Sequence, residues 1–146
     1  MLSITPFLWF DDQAAEAARF YTSIFPDSRI LDETPMSVAF EVAGQRVMGL
    51  NGGPQFQLNE AFSMFVSCDG QEEVDHYWDA LLEGGGEPSM CGWLKDRFGL
   101  SWQVIPSLLG QLLSDPDQGR ANRVMQAMLG MRKIDCAGLQ AAYDAQ

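Results

Sequence analysis

The sequence predicts an α+β fold in which a β-α-β-β-β unit occurs twice and a helical tail follows. The first observation is an internal repeat, in which residues of similar type match at a constant offset. Asp12 and Asp69 lie 57 positions apart, as do Phe25 and Leu82. The second is that a strand-like apolar run precedes each of these helical segments and a proline or glycine breaker follows it. A period of this size indicates one supersecondary unit used twice.

The length of 146 residues fits a single domain over residues 1–146. We divide it into a first module over about 1–54, a second module over about 55–106 and a tail over about 107–146. No apolar run approaches the ~20 residues that span a bilayer, and the start lacks the basic and apolar regions of a signal peptide. These features predict a cytoplasmic protein.

The charge balance disfavours two classes of anionic partner. The formal net charge is -11, from 20 acidic and 9 basic residues. Such a field repels the phosphates of nucleic acids and anionic lipid headgroups. We therefore expect neither a nucleic-acid partner nor a membrane partner.

The first module begins with a strand over Ile4–Phe10 that contains Pro6, which favours an unpaired edge. Asp12 is the predicted N-cap of a helix over residues 13–25, which Pro26 ends. Three short strands follow, over residues 28–32, 36–42 and 45–50.

The second module repeats this order with a strand over residues 61–68. A helix follows with Asp69 as its cap and Glu72 completing a capping box, and glycines at 84–86 end it. The remaining strands are predicted at residues 87–90, 91–95 and 101–105, with a turn at 96–99 between the last two.

The tail reads as three helices, at residues 108–113, 117 to about 129, and 135–142. The middle helix has one apolar face, which we expect to cover a face or edge of a sheet. A partner-binding role for this helix stays open.

Several segments now indicate a family. They cover residues 4–11, 20–21, 50–54 and 91–103, and in the tail residues 124–129 and 133–135. With the two tandem units, these segments resemble the PhnB-like branch of the vicinal oxygen chelate superfamily, which has the glyoxalase and bleomycin-resistance fold. This resemblance implies curved mixed sheets around a cavity, with modules that pair within one chain or between the chains of a homodimer.

Some members of this branch carry the name of a ubiquinone methyltransferase. A methyltransferase that uses S-adenosylmethionine is expected to have a doubly wound α/β core with a glycine-rich turn after its first strand. The β-α-β-β-β order contradicts that core, so we do not expect methyl transfer.

The resemblance also implies where metal ligands would lie, on the first and last strand of each module. The matching positions here are Thr5 or Pro6, Arg46 or Met48, Phe62 or Ser63, and Gln103. Divalent transition metals prefer imidazole, thiolate or carboxylate ligands, and none of these positions supplies one. The only histidine, His76, falls on the polar face of the second helix. We expect no metal and no other cofactor.

Chemistry without a metal has few candidate residues. On a strand over 91–95, alternation would place Cys91, Trp93 and Lys95 on one side, and Gln103 stands where relatives carry glutamate. The alternative is a packed thiol, a core tryptophan and a solvated turn that begins at Lys95. The chain has three cysteines, and an odd number leaves at least one thiol free. Besides Cys91, these are Cys68 and Cys136, which are predicted to be reduced packing residues.

Ligand binding has its own candidates: Trp9, Asn51, Phe65, Trp93 and Gln103. Aromatic residues at strand spacing are equally typical of a core, and Asn51 precedes a glycine, so a turn role is an alternative. The preferred hypothesis is a homodimer that binds a small organic molecule in an apolar, metal-free cavity. The alternatives are an enzyme that acts on a small metabolite through Cys91, Lys95 or Gln103, and a scaffold that binds no ligand.

Overall fold

The computed structural model describes residues 1–146 and divides them into two compact units, residues 1–59 and 60–146. Each unit contains a four-stranded mixed sheet and helices, which confirms the predicted α+β class and the repeated β-α-β-β-β order. Near the end of the first unit, Phe56 packs edge to face on Trp9, with ring centroids 5.0 Å apart. No helix combines the length and the apolar character needed to cross a membrane.

The first unit is built on a sheet of strand order β1-β4-β3-β2. The elements are β1 (Phe7–Phe10), α1 (Ala14–Ile24), β2 (Arg29–Glu33), β3 (Ser37–Val42) and β4 (Gln45–Asn51). The strand β1 pairs with β4 in parallel, and the other pairs are antiparallel. Pro6 lies just before this edge strand, where it needs no N–H, and its carbonyl accepts the N–H of Met48 at 2.9 Å.

The helix α1 starts differently from the prediction. Asp12 is not its cap, because Gln13 occupies the cap position and provides no side-chain hydrogen bond. The first free N–H of the helix, on Ala14, instead donates to Asn51 Oδ1 at 2.8 Å. The end of β4 therefore stabilises the helix start, which local sequence spacing could not reveal.

The second unit is built on a sheet of strand order β5-β8-β7-β6, which matches the arrangement of the first. Its elements are β5 (Ser63–Cys68), α2 (Gln71–Leu82), β6 (Glu87–Pro88), β7 (Trp93–Lys95), β8 (Ser101–Pro106), α3 (Ser107–Leu113), α4 (Gln118–Leu129) and α5 (Cys136–Asp144). The strands β5 and β8 are parallel, and β7 is antiparallel to both of its neighbours.

The predicted cap of α2 is also displaced. Gly70, not Asp69, occupies the cap position. The backbone N–H of Asp69 donates to Glu73 Oε1 at 2.9 Å, so the reciprocal carboxylate is Glu73 and not Glu72. The capping box was therefore assigned one residue too early.

Asp96 is a buried carboxylate that closes the β7–β8 hairpin at the predicted turn, in contrast to the alternative of a solvated turn. It is 3% exposed. One oxygen accepts the N–H groups of Phe98 and Leu100 at 2.8 and 3.1 Å, and the other accepts the indole N–H of Trp102 at 2.8 Å. These charge-assisted bonds offset the cost of burying the carboxylate.

The tail is anchored to the second unit at both ends. The predicted helix starts at residues 117 and 135 agree with the caps observed there, because Asp117 accepts the N–H of Arg120 and Asp135 accepts that of Ala137. A core cluster joins Ile105 of β8 to buried tail residues, namely Leu109, Leu112, Val124, Ile134 and Leu139. The side-chain amide of Gln71 on α2 also bonds the tail backbone, at Ile134 O and Cys136 N. The tail therefore covers part of the sheet, as its apolar pattern predicts.

Candidate functional site

One face of the second sheet carries most of the predicted site residues. Strand alternation and the register place Phe65, Gln103 and Trp93 side by side across β5, β8 and β7. The helix α2 contacts these three strands and buries Val74, Trp78 and Leu81, so it covers the opposite face, where the buried residue of β7 is Leu94. The face with Gln103 is left to the tail.

A cavity of about 390 Å³ lies between this sheet face and the tail. From the sheet and its turn, the walls include Phe65, Cys91, Trp93, Gln103 and Ile105. From the tail they include Leu109, Gly110, Leu113 and Met128, and the remaining wall residues are Ser67, Pro106 and Ser107. Four of the predicted site residues, Phe65, Cys91, Trp93 and Gln103, are thus brought together.

The cavity wall has no charged side chain. Its polar groups are the amide of Gln103, the hydroxyls of Ser67 and Ser107, and the thiol of Cys91. An ionised ligand group would lose hydration here without gaining a partner of opposite charge. The wall is therefore suited to an uncharged molecule with one or two hydrogen-bonding groups.

The amide of Gln103 is oriented by its neighbour on β5. Its Nε2 donates to Ser63 Oγ at 3.0 Å. That bond leaves the carbonyl oxygen Oε1 to accept a hydrogen bond from another molecule. Gln103 can therefore orient a ligand through a hydroxyl or N–H group.

Cys91 lines the cavity from a turn before β7, not from the predicted strand. The strand β7 begins only at Trp93, and Cys91 and Gly92 have left-handed backbones with φ of 61° and 83°. Their N–H groups donate to the carbonyls of Met131 and Arg132 at 2.7 and 2.8 Å. The strand prediction over 91–95 is wrong in its first two residues because the tail, and not β8, accepts these two N–H groups.

Lys95 does not line the cavity. Its ammonium pairs with the carboxylate of Glu60 just before β5. The hydrogen bond and the positive charge of Lys95 lower the pKa of Glu60 below its ordinary value. Both groups are accessible to water, with 38% and 66% side-chain exposure, so the pair contributes little stability.

The other two thiols differ from Cys91. Cys68 is fully buried at the end of β5, and this burial raises its pKa to about 11. Burial also raises the pKa of Cys136. Both therefore stay protonated at neutral pH, and Cys91 is the thiol that lines the cavity.

Trp9 lies in the first unit, half-buried on β1. Its indole N–H donates to the carbonyl of Gly53 at 2.9 Å, and its ring packs against Phe56. The polar atom of this side chain is therefore used within the unit. Ligand binding by Trp9 stays a prediction, in which the face of its ring would contact the ligand.

Asn51, also in the first unit, uses both ends of its amide internally. Its oxygen caps α1 through Ala14, and its nitrogen donates to the carbonyl of Pro35 at 3.2 Å. These bonds agree with the strand-end alternative that the sequence left open. Ligand binding by Asn51 stays a prediction.

The donor set does not fit the metal site of the fold family. In the second unit, the family positions hold Phe62 or Ser63 and Gln103, and the latter two bond each other. In the first unit they hold neutral or cationic side chains. No group of three or more histidine, cysteine, aspartate or glutamate side chains is arranged to share a metal ion, and His76 is solvent-exposed on α2 as expected.

Sequence reasoning missed the tail residues of the wall. Leu109, Gly110 and Leu113 lie on α3, the helix directly after β8, and Met128 lies on α4. The available signal was the spacing of Leu109 and Leu113, which lie one turn apart on a predicted helix. The sequence does not show what lies opposite that face.

Comparison with known proteins shows which family the chain matches. A family model described as 3-demethylubiquinone-9 3-methyltransferase matches residues 2–105. The match ends before α3, so it does not extend into the tail, where the sequence resemblance was expected to continue. A search of the curated proteins finds no match.

Solved structures agree with this fold. A PhnB protein from Bacillus cereus is 29% identical, with a TM-score of 0.65 over 72% of this chain and 99% of that one. A glyoxalase-related enzyme from Fulvimarina pelagi is 12% identical, with a TM-score of 0.52 over 72% and 88%. The fosfomycin resistance protein FosX from Listeria monocytogenes is 18% identical, with a TM-score of 0.51 over 70% and 91%. The last two show the fold alone.

Substitution of Asn51 tests its place in the first unit. Asn51→Ala removes the acceptor for Ala14 and the donor to Pro35, and we expect it to lower the free energy of unfolding by about 1–2 kcal/mol. Asn51→Asp keeps the acceptor and should lose less. Urea denaturation measures both, and an unchanged midpoint for Asn51→Ala would contradict the contacts described.

Proposed function

The chain belongs to the 3-demethylubiquinone-9 3-methyltransferase family, the PhnB-like branch of the glyoxalase fold, and from that membership we propose that it binds a small, uncharged organic molecule. The proposed site is the cavity between the second sheet and the tail. The observation that carries the proposal is the uncharged, largely apolar wall around about 390 Å³.

The family's name assigns no reaction to this chain. A methyltransferase that uses S-adenosylmethionine would be expected to have a doubly wound parallel sheet. This chain has two mixed sheets, each with one parallel pair of strands. We therefore base the proposed function on the cavity and not on the name.

Within the cavity, we assign contact with the apolar part of the ligand to Phe65 and Trp93. We assign its orientation to the free carbonyl oxygen of Gln103. Phe65 is 60% exposed, so a ligand that covered it would gain the free energy of burying an aromatic ring. We propose that binding needs no metal, because the donor set described above does not supply metal ligands.

We also infer that the chain works as a cytoplasmic homodimer whose two units form one glyoxalase-fold domain. Exposed apolar side chains away from the cavity, such as Phe7 and Met36, support a partner surface, and three free thiols suit a reducing compartment. Sedimentation equilibrium should give about twice the 16.2 kDa chain mass. A mass of one chain at micromolar concentration would contradict the dimer.

A second candidate function is an enzyme in which Cys91 acts on the bound molecule. It is favoured by the position of Cys91 in the same cavity wall as Gln103 and by its left-handed backbone, which is uncommon in a residue with a side chain. The rate of Cys91 alkylation across pH tests this candidate, with Cys91→Ser as the blank. A rate no faster than that of a free peptide thiol would remove it.

Ligand binding is tested with two exposed phenylalanines that lie three residues apart. Neutral aromatic fragments should raise the melting temperature of the wild-type protein saturably. Phe65→Ala should weaken the best fragment about tenfold, because it removes part of the wall. Phe62 is also exposed but does not line the cavity, so Phe62→Ala is the matched control and should leave the affinity unchanged.

Carboxylate and ammonium analogues of the same fragments should bind more weakly, since the wall offers no opposite charge. If no fragment shifts the wild-type melting temperature, the chain is better described as a scaffold. Equal losses in Phe65→Ala and Phe62→Ala would move the binding site away from the cavity.

A further inference from the structure

The tail helix α3 contains a glycine that its backbone does not require. Gly110 lies in the middle of Ser107–Leu113 and does not have the positive φ that favours glycine. A Cβ atom built on it would meet no heavy atom within 4 Å. Glycine is less favourable than alanine inside a helix, so neither helix formation nor close packing explains this residue.

Gly92 provides the contrast within the same unit. Its φ is 83°, and an added Cβ atom would lie 2.6 Å from Ile105 Cδ1 and 3.0 Å from Ile134 Cγ1. The fold therefore requires glycine at position 92 for both backbone and packing reasons. Neither reason applies to Gly110.

What distinguishes Gly110 is that it lines the cavity. On α3 it lies beside Leu109 and one turn before Leu113, Pro106 directly precedes the helix, and all four residues belong to the wall. A side chain at position 110 would therefore extend from this wall into open space. Gly110 is also exposed to solvent, so it lies at the open side of the cavity, and the absence of a side chain there leaves that opening wider.

We propose that Gly110 is a specificity-determining residue, whose missing side chain sets the size of the uncharged ligand that the cavity admits. This inference rests on the proposed function, because it concerns the same cavity. The discriminating wall then belongs to the tail, which lies outside residues 2–105 that match the family model. The family-matched sheet supplies the hydrogen bond of Gln103, and the tail sets the ligand's size.

The test uses phenol and 2-naphthol, two neutral probes that share a hydroxyl donor and differ in size. Calorimetry would measure both affinities in the wild type, Gly110→Ala, Gly110→Leu and the control Gln111→Leu. Gln111 is exposed on the same helix and does not line the cavity. Gly110→Leu should weaken 2-naphthol at least about tenfold and phenol less than about threefold, because overpacking excludes the larger probe first. Gln111→Leu should change neither affinity.

Stability supplies the second measurement. Gly110→Ala should raise the melting temperature of the free protein by about 2–4 °C, since alanine is the better helix former. A lower melting temperature would overturn the inference by giving the glycine a structural role. Equal affinity losses for both probes, or none in Gly110→Leu, would also overturn it. If the wild type binds neither probe while smaller neutral fragments bind, the size assignment fails and the proposed function stands. If no neutral compound binds, both fail.

Discussion

The second unit depends on one buried carboxylate. Asp96 accepts hydrogen bonds from two backbone N–H groups and from the indole N–H of Trp102. Without those bonds, the desolvation of a charge at 3% exposure would strongly destabilise the fold. The bonds hold the turn between β7 and β8 and tie it to the face that packs on α2. They thereby fix the register in which Trp93 lies beside Gln103, on the other face. The cavity wall is a consequence of that register.

The repeated unit could be predicted because its evidence is local. Apolar periodicity, prolines and glycines recur at a near-constant spacing, and the two sheets share one strand order. The caps at Asp117 and Asp135 were predictable for the same reason, since each cap bonds a residue two or three positions away. The caps at Asp12 and Asp69 were wrong because Asn51, from another strand, and Glu73, one residue further along, provide the relevant oxygens.

The candidate site was half predictable. Alternation within one strand could not group Phe65, Trp93 and Gln103, because they share a face only through strand pairing, which depends on contacts distant in sequence. Cys91 reached the cavity although its strand assignment failed, because the tail carbonyls of Met131 and Arg132 hold its turn. The tail half of the wall could not be predicted, since an apolar helix face looks the same whether it covers a core or a cavity.

The central claim is that the space between the second sheet and the tail receives an uncharged small molecule. Methyl NMR of the methionines tests it most directly, because Met128 lines the cavity while Met125, on the same helix, is 38% exposed and outside it. Titration with a neutral aromatic fragment should shift the Met128 methyl resonance saturably and leave that of Met125 in place. A Met128 resonance that does not move, or that moves no more than that of Met125, would contradict the account.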